Sequence, residues 1–177
     1  MTLVVRRVEA HEWQLVRDLR LEALRDADAA LAYLDTLDDA LARDDEFWQQ
    51  RTRAASAGAS AAQFVAITTS GWVGAATGLA RQPGSLDHLD RRVDTARVDV
   101  VGVYVAPDAR STGVIDRLLD AVAAWARELG VPAIALDVHR DNRCAQGAYR
   151  RCGFVESGVT FTGPIGPELE MIRPLSG

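Results

Sequence analysis

The sequence predicts a single α/β domain whose mixed, mostly antiparallel sheet carries helices on both faces. Strand-like and helical segments alternate along residues 1–177, with no repeat or low-complexity linker that divides the chain. Short turns join most of the strand-like segments and make them antiparallel, whereas one helix separates two strands and makes that pair parallel. A chain of 177 residues is long enough to bury one core without metals or disulfides.

The predicted elements are one strand, two helices, three strands, a helix, a strand, a helix and two strands. The strands are short apolar or β-branched runs at about 3–8, 63–67, 72–80, 97–105, 133–138, 154–161 and 168–175. The helices carry apolar residues at three- and four-residue spacing at about 11–26, 44–57, 114–129 and 143–152. Asp44 or Asp45 is expected to cap the second helix, and Asn142 the fourth, because these side chains accept from free backbone N–H groups.

Composition and charge narrow the class of protein. The hydrophobic fraction of 48% and charged fraction of 25% match soluble proteins, and no apolar run approaches the ~20 residues of a membrane span. The N-terminus lacks signal and transit features, so a cytoplasmic location is expected. The formal net charge of -5 argues against nucleic acid as a partner. Cys144 and Cys152 lie too far apart on one predicted helix to form a disulfide, and no histidine has metal-ligand spacing.

The stretch "VAPDARSTG" at 105–113 joins the parallel strand to the helix that follows it. Free backbone N–H groups and the helix dipole make such a helix start an anion site. Gly113 lets the backbone come close to a ligand, and the guanidinium of Arg110 matches phosphate oxygens. These residues alone are also consistent with the alternative to an anion site, which is an ordinary capped turn.

A second pattern, "LDVHRDNRCAQGAYRRCGF", places Asn142 at a helix start and Tyr149 two turns later on the same side. With this pattern, "VAPDARSTGVI" resembles the GNAT N-acetyltransferase superfamily, whose turn reads V-x-P, then Arg/Gln-Gly-x-Gly-Ile/Val-Gly/Ala. The later motif of that family is matched by Leu136, Val138, Asn142, Ala145, Tyr149, Gly153 and Phe154. The specific match covers about 98–158, and the order of elements agrees with a GNAT fold along the whole chain.

The resemblance implies a site for acetyl-CoA as co-substrate. The pyrophosphate is expected on the backbone N–H groups of Arg110, Ser111, Thr112, Gly113, Val114 and Ile115. The pantetheine arm is expected to pair as an extra strand with the backbone of Val103, Tyr104 and Val105. Gly102 fits this picture because a bulge there splays the two parallel strands apart.

The resemblance also assigns two side chains in the site. Asn142 contacts the cofactor arm, and Tyr149 protonates the leaving thiolate, because a phenol of pKa ~10 stays protonated at neutral pH. The alternative for Tyr149 is a core phenol with an ordinary hydrogen bond. Many relatives carry a glutamate as base on the central strand, where this chain has Val101. Asp99, two residues earlier on the same face, is therefore a candidate base or else a strand-end surface charge.

The expected reaction is transfer of the acetyl group to a primary amine of an unidentified small molecule or peptide, by direct attack in a ternary complex. Ser111 and Ile115 depart from the family pattern, and a serine at positive φ costs about 1–2 kcal/mol. The Ser111 and Thr112 hydroxyls are expected to offset this by donating to phosphate. The alternative function is a non-catalytic GNAT-fold binding or sensor protein with impaired CoA binding. A toxin-like acetylator of charged transfer RNA is disfavoured by the net charge of -5.

The acceptor is expected between the connection of the first two helices, the 82–96 loop and the last hairpin, where relatives bind it. Acids of that loop, Asp87, Asp90 and Asp94, are expected to face a cationic amine. His88 and His139 are interpreted as surface histidines. Assembly stays open, and the resemblance makes a homodimer one of the states to expect.

Overall fold

The computed structural model describes residues 2–175, whose strands form one seven-stranded sheet. The strands are β1 Val4–Arg7, β2 Ala61–Thr68, β3 Gly71–Arg81, β4 Arg97–Val105, β5 Ala133–His139, β6 Val155–Gly163 and β7 Gly166–Pro174. They lie side by side in the order β1-β2-β3-β4-β5-β7-β6, and only the β4 and β5 pair is parallel. The predicted mixed sheet with one parallel pair is confirmed.

Five α-helices accompany the sheet in the described residues. They are α1 Trp13–Arg25, α2 Leu37–Ala42, α3 Asp45–Ser56, α4 Val114–Glu128 and α5 Arg143–Arg151. The sequence-based prediction missed α2, whose six residues are too few for an apolar period and which depends on a capping box between Thr36 and Asp39. Asp44 caps α3 by accepting from the Phe47 N–H at 2.9 Å, as predicted. Within residues 2–175, no helix has the length and apolar character that crossing a membrane requires.

Apolar cores lie on both faces of the sheet. Val65 and Ala66 are neighbours on β2 and point to opposite faces, yet both are completely buried. Helices α1 and α3 cover the face of Val65, and α4 and α5 cover the face of Ala66. The prediction of helices on both faces is confirmed.

The parallel strands β4 and β5 separate after a short contact. Their pairing is confined to two residue pairs, Val98 with Ile134 and Asp99 with Ala135. Beyond these pairs, Gly102 adopts φ 61° and the register of β4 with β3 shifts, which is the predicted bulge. The separation leaves the second half of β4 without a partner on one side and opens a cleft between the strands.

Candidate active site between the parallel strands

Two adjoining cavities occupy the cleft. The larger cavity, of about 510 Å³, lies between the 106–113 turn, α5 and the segment that joins α1 to α2. The smaller cavity, of about 290 Å³, lies between the same segment, the 82–96 loop and the β6–β7 hairpin. The two share a wall made of Ala32, Tyr33, Val103, Asn142, Ala145 and Tyr149. The two cavities therefore adjoin along these six residues.

The 106–113 turn has the backbone of an anion site. Ser111 and Gly113 adopt φ 62° and 83°, and α4 begins directly after them at Val114. In the described residues, the N–H groups of positions 111, 112 and 113 donate to no backbone carbonyl. Three free donors thus precede a helix N-terminus, where the helix dipole attracts negative charge. The positive φ means that Ser111 carries the strain expected of a serine at this position.

The side chains of Arg110 and Thr112 are hydrogen-bonded to protein groups, whereas the sequence predicted that they are available to phosphate. The Arg110 guanidinium donates to the Val105 carbonyl at 3.1 Å and to the Asp26 carboxylate at 2.5 Å. It therefore links the turn to the end of α1 and does not point at the free N–H groups. The Thr112 hydroxyl donates to the Ala109 carbonyl at 2.7 Å, so the expectation that this hydroxyl serves phosphate is corrected.

Asp26 is held in place from two directions. Its carboxylate accepts from the Asp28 N–H at 3.0 Å and from Arg110. The backbone hydrogen bond from Asp28, followed by the bond from Arg110, lowers the pKa of Asp26 from its ordinary value. The carboxylate is therefore charged at neutral pH and borders the larger cavity.

Tyr149 lies on the wall that the cavities share. It is buried, and its ring packs against Phe154 with 5.9 Å between ring centroids. Its hydroxyl makes no hydrogen bond to any residue of the described chain, which departs from the alternative of a core phenol with an ordinary partner. Burial raises the pKa of Tyr149 above that of a free phenol, so its proton is retained at neutral pH.

Asn142 caps α5 as predicted and borders both cavities. Its side-chain oxygen accepts from the Ala145 N–H at 3.1 Å. The Gln146 amide donates to the carbonyls of His139 and Arg140 at 3.1 and 2.8 Å, which ties the first turn of α5 to the end of β5. These contacts hold the face of α5 that bears Tyr149 against the cleft.

Tyr33 is a residue of the shared wall that the sequence-based analysis missed. Its buried hydroxyl donates to the Val103 carbonyl at 2.8 Å, and the Arg20 guanidinium lies 4.4 Å from its ring centroid. Burial raises the pKa of Tyr33 to about 12. The signal in the sequence was a lone aromatic in the connection "DADAALAYLDT", which is rich in alanine. The Val103 carbonyl keeps its second lone pair for an additional strand-like partner.

Asp99 does not join the other candidate residues. It is buried, and its carboxylate pairs with Arg81 at 3.0 Å and with Arg97 at 2.8 Å. It borders neither the larger nor the smaller cavity. The interpretation of Asp99 as a surface charge is wrong, and the structure places it apart from Tyr149.

The loop acids are also placed differently from the expectation. Asp87 is buried and accepts from the N–H groups of Leu89 and Arg91 and from the Arg91 side chain, so it closes its own loop. Neither Asp87 nor Asp90 nor Asp94 borders the two cavities. The smaller cavity is bordered by Asp35, Asp137 and Glu168 instead.

The histidines of the smaller cavity differ from each other. His139 is buried, so its interpretation as a surface residue is wrong. Its Nδ1 accepts from the Asp141 N–H at 3.1 Å, which leaves the proton of the neutral ring on Nε2. His88 is exposed, as expected. Over residues 2–175, no three His, Cys, Asp or Glu side chains come together in a way that fits a metal ion.

Comparison with known proteins identifies a family that this chain matches. The chain matches a model described as the acetyltransferase (GNAT) family over residues 14–154. An aminoglycoside N(6')-acetyltransferase type 1 from Stenotrophomonas maltophilia is 40% identical over 68 residues, which are 37% of this chain and 44% of the relative. The chain spans less than half the length of the curated relatives it matches.

Solved structures show the same fold at low identity. A GNAT-family acetyltransferase from Streptococcus pneumoniae has a TM-score of 0.77 at 16% identity, over 99% of this chain and 100% of that one. A GNAT superfamily phosphinothricin acetyltransferase from Sinorhizobium meliloti, in complex with acetyl-CoA, has a TM-score of 0.73 at 19% identity, over 99% and 90%. These likenesses confirm the fold that the order of elements implied.

Proposed function

The chain belongs to the GNAT acetyltransferase family, and on that premise we propose that it transfers the acetyl group of acetyl-CoA to a primary amine. The observation that carries the proposal is the wall between the two cavities, where Tyr149 presents a hydroxyl with no partner among residues 2–175. One side of that wall adjoins an anion-binding turn, and the other adjoins a cavity with charged walls. Donor and acceptor are thereby held together for direct attack in a ternary complex.

The larger cavity is assigned to acetyl-CoA. The free N–H groups at 111–113 and the start of α4 receive the pyrophosphate, and the backbone of Val103–Val105 receives the pantetheine arm. Asn142 and Ile115 border this cavity and contact the bound molecule. Arg110 and Asp26 both line this cavity, and their contact links the turn to the end of α1.

The chemistry at the shared wall needs few groups. The neutral amine forms a bond to the thioester carbon, the C–S bond breaks, and the amine proton leaves to solvent. Tyr149 gives its proton to the departing thiolate and regains one from solvent. The transfer moves the negative charge from the sulfur to the Tyr149 oxygen, and the proton that Tyr149 regains from solvent neutralises it.

Replacing Tyr149 with phenylalanine tests this assignment. Tyr149→Phe keeps the ring packing on Phe154 and removes the acid, so kcat is expected to fall about 100-fold or more. The measurement is mass spectrometry of N-acetyl product from an amine panel that includes aminoglycosides, the substrates named for the curated relatives. Unchanged turnover together with unchanged acetyl-CoA affinity removes the acid role of Tyr149.

A second function, a non-catalytic GNAT-fold binding or sensor protein, is favoured by the state of the turn. Ser111 is strained, Ile115 lines the larger cavity, and Arg110 is already bound to protein groups. A protein with this second function would make no acetylated product from any amine. Binding of acetyl-CoA without turnover, or the absence of binding, then distinguishes a ligand sensor from a partner-binding domain.

A further inference from the structure

The wall of the smaller cavity on β7 carries a carboxylate that forms no ion pair within residues 2–175. Glu168 is 5% exposed, and its Oε2 has no hydrogen-bond partner within the described chain. A Cβ at position 163 would collide with this oxygen, so the hairpin glycine Gly163 provides its space. A buried carboxylate without a partner is costly and is rarely kept for packing alone. A bound cation would satisfy it.

The neighbouring acid on this wall already has its cation. Asp137 accepts from the Arg91 guanidinium at 2.6 Å, and Arg91 also holds Asp87. His88 lies 4.0 Å from Asp137. Glu168 is thus the carboxylate of the smaller cavity that is left for a ligand.

The opposite wall, built by α1, α3 and the segment that joins α1 to α2, carries excess positive charge. Asp35 accepts from Arg20 at 3.3 Å and from Arg43 at 2.9 Å, so one carboxylate is shared by two guanidiniums. Arg51 borders the same cavity and, in the part of the chain that the structure describes, forms no ion pair and no side-chain hydrogen bond. A guanidinium in this situation suits a carboxylate, which it can bind through two parallel hydrogen bonds.

We infer that the acceptor is a zwitterion, an amine that also carries a carboxylate, bound with its cationic part toward Glu168 and its carboxylate on Arg51 and Arg20. The inference rests on the proposed function and names the substrate class of the same site. An acceptor with cationic groups at both ends would place positive charge against Arg20 and Arg51. Like charges brought together in a partly desolvated cavity disfavour binding, so the site discriminates against such acceptors.

Matched pairs of acceptors that differ by one carboxylate test the inference. The pairs are L-lysine with cadaverine, L-tyrosine with tyramine, and 4-aminobutyrate with propylamine, each assayed for N-acetyl product at saturating acetyl-CoA. The carboxylate-bearing member of at least one pair is expected to have a kcat/KM about tenfold or more above its partner, as one charged hydrogen-bonded contact allows.

Arg51→Gln tests the residue to which the inference assigns the carboxylate of the acceptor. The variant is expected to raise the KM for the preferred zwitterion about tenfold without raising the KM for its decarboxylated partner. Arg53→Gln is the matched control, because Arg53 is exposed on the same helix and borders neither cavity. Glu168→Gln, which keeps the side-chain shape, is expected to weaken the binding of both acceptors of a pair. Glu156→Gln, at an exposed site, is expected to leave the binding of both acceptors unchanged.

Failure of the inference and failure of acetyl transfer give different results. If the plain amine of every pair is acetylated as well as its carboxylate partner, the zwitterion is excluded while acetyl transfer stands. If no acceptor is acetylated, acetyl transfer to these amines fails, and calorimetric titration of the pairs into protein saturated with coenzyme A decides the inference. Preferential binding of a zwitterion that Arg51→Gln abolishes supports it, and equal or absent binding of both members overturns it.

Discussion

Ser111 stands at the point where the turn needs a left-handed residue. Its φ of 62° costs an L-residue about 1–2 kcal/mol, whereas glycine adopts this conformation freely. Ser111→Gly is therefore expected to raise the free energy of unfolding by about 1 kcal/mol or less, since glycine also adds entropy to the unfolded chain. Urea denaturation measures the change, with Ser111→Ala as the control that keeps the strain. A loss of stability in Ser111→Gly would show that the serine side chain supports the turn.

Glu168 links stability to pH. Burial, and next the charge of Asp137, raise the pKa of Glu168 in the folded protein, while Arg91 and His139 act in the opposite direction. The folded state therefore holds this proton more tightly than the unfolded state. Stability is lost as pH rises from the ordinary glutamate pKa of about 4.3 through the raised folded value.

A glutamine at position 168 cannot ionise, so the variant is expected to be free of the stability loss that Glu168 causes at rising pH. Glu168→Gln is expected to gain stability relative to the natural protein as pH increases from 4 to 8, even though it lowers activity. Denaturant unfolding at a series of pH values measures the difference, with Glu156→Gln as an exposed control. A difference that shrinks toward high pH would mean that Glu168 is stabilised as a carboxylate by the protein itself.

The residues of the site were predictable to the extent that they belong to local motifs. Asn142 and Tyr149 lie seven positions apart, so spacing alone placed them on one side of a helix. That this helix and the turn ending in Gly113 form one site was implied by the resemblance to the GNAT family. Tyr33, Arg51 and Glu168 stand in segments without a motif. Their placement on the cavities depends on how α3 and β7 pack around the cleft, which no short pattern encodes.

At the scale of elements, an ion pair connects the end of α1 to the turn before α4. Asp26→Asn keeps the acceptor for the Asp28 N–H but removes the charge that holds Arg110 and repels phosphate. The variant is expected to bind acetyl-CoA about threefold more tightly, the effect of a modest ion pair, while Arg110→Ala binds it more weakly. Calorimetry measures both. If Asp26→Asn also weakens binding, the intact pair is itself part of the binding surface.

The elements themselves followed from the sequence where periodicity or turn chemistry was strong. Helix α4 has an uninterrupted apolar stripe, and Gly102 marked the bulge that splays β4 from β5. Helix α2 was missed because its capping box lies in an acidic run that resembles a loop. Most strand ends differ from the prediction by one or two residues, although β4 has the predicted bounds. Strands β2 and β3 are longer than predicted because ladder hydrogen bonds extend beyond their apolar residues, whereas β1 is one residue shorter at each end.

In the whole molecule, the sheet, its splayed strands and its two helix layers place the 106–113 turn and one charged cavity on either side of Tyr149. Solved GNAT structures share this fold over almost the full chain. The fold determines where the two cavities meet. The segments around the smaller cavity, which vary without changing the fold, determine what enters it.

The proposed function requires that the larger cavity bind acetyl-CoA through the free N–H groups of the turn. Calorimetric titration of acetyl-CoA tests this binding directly and requires no knowledge of the acceptor. We expect one site with a Kd on the order of micromolar, weakened about tenfold or more in Gly113→Ala, which strains the turn at φ 83°. Absence of binding at millimolar acetyl-CoA would contradict the proposed function and leave the non-catalytic function in its place.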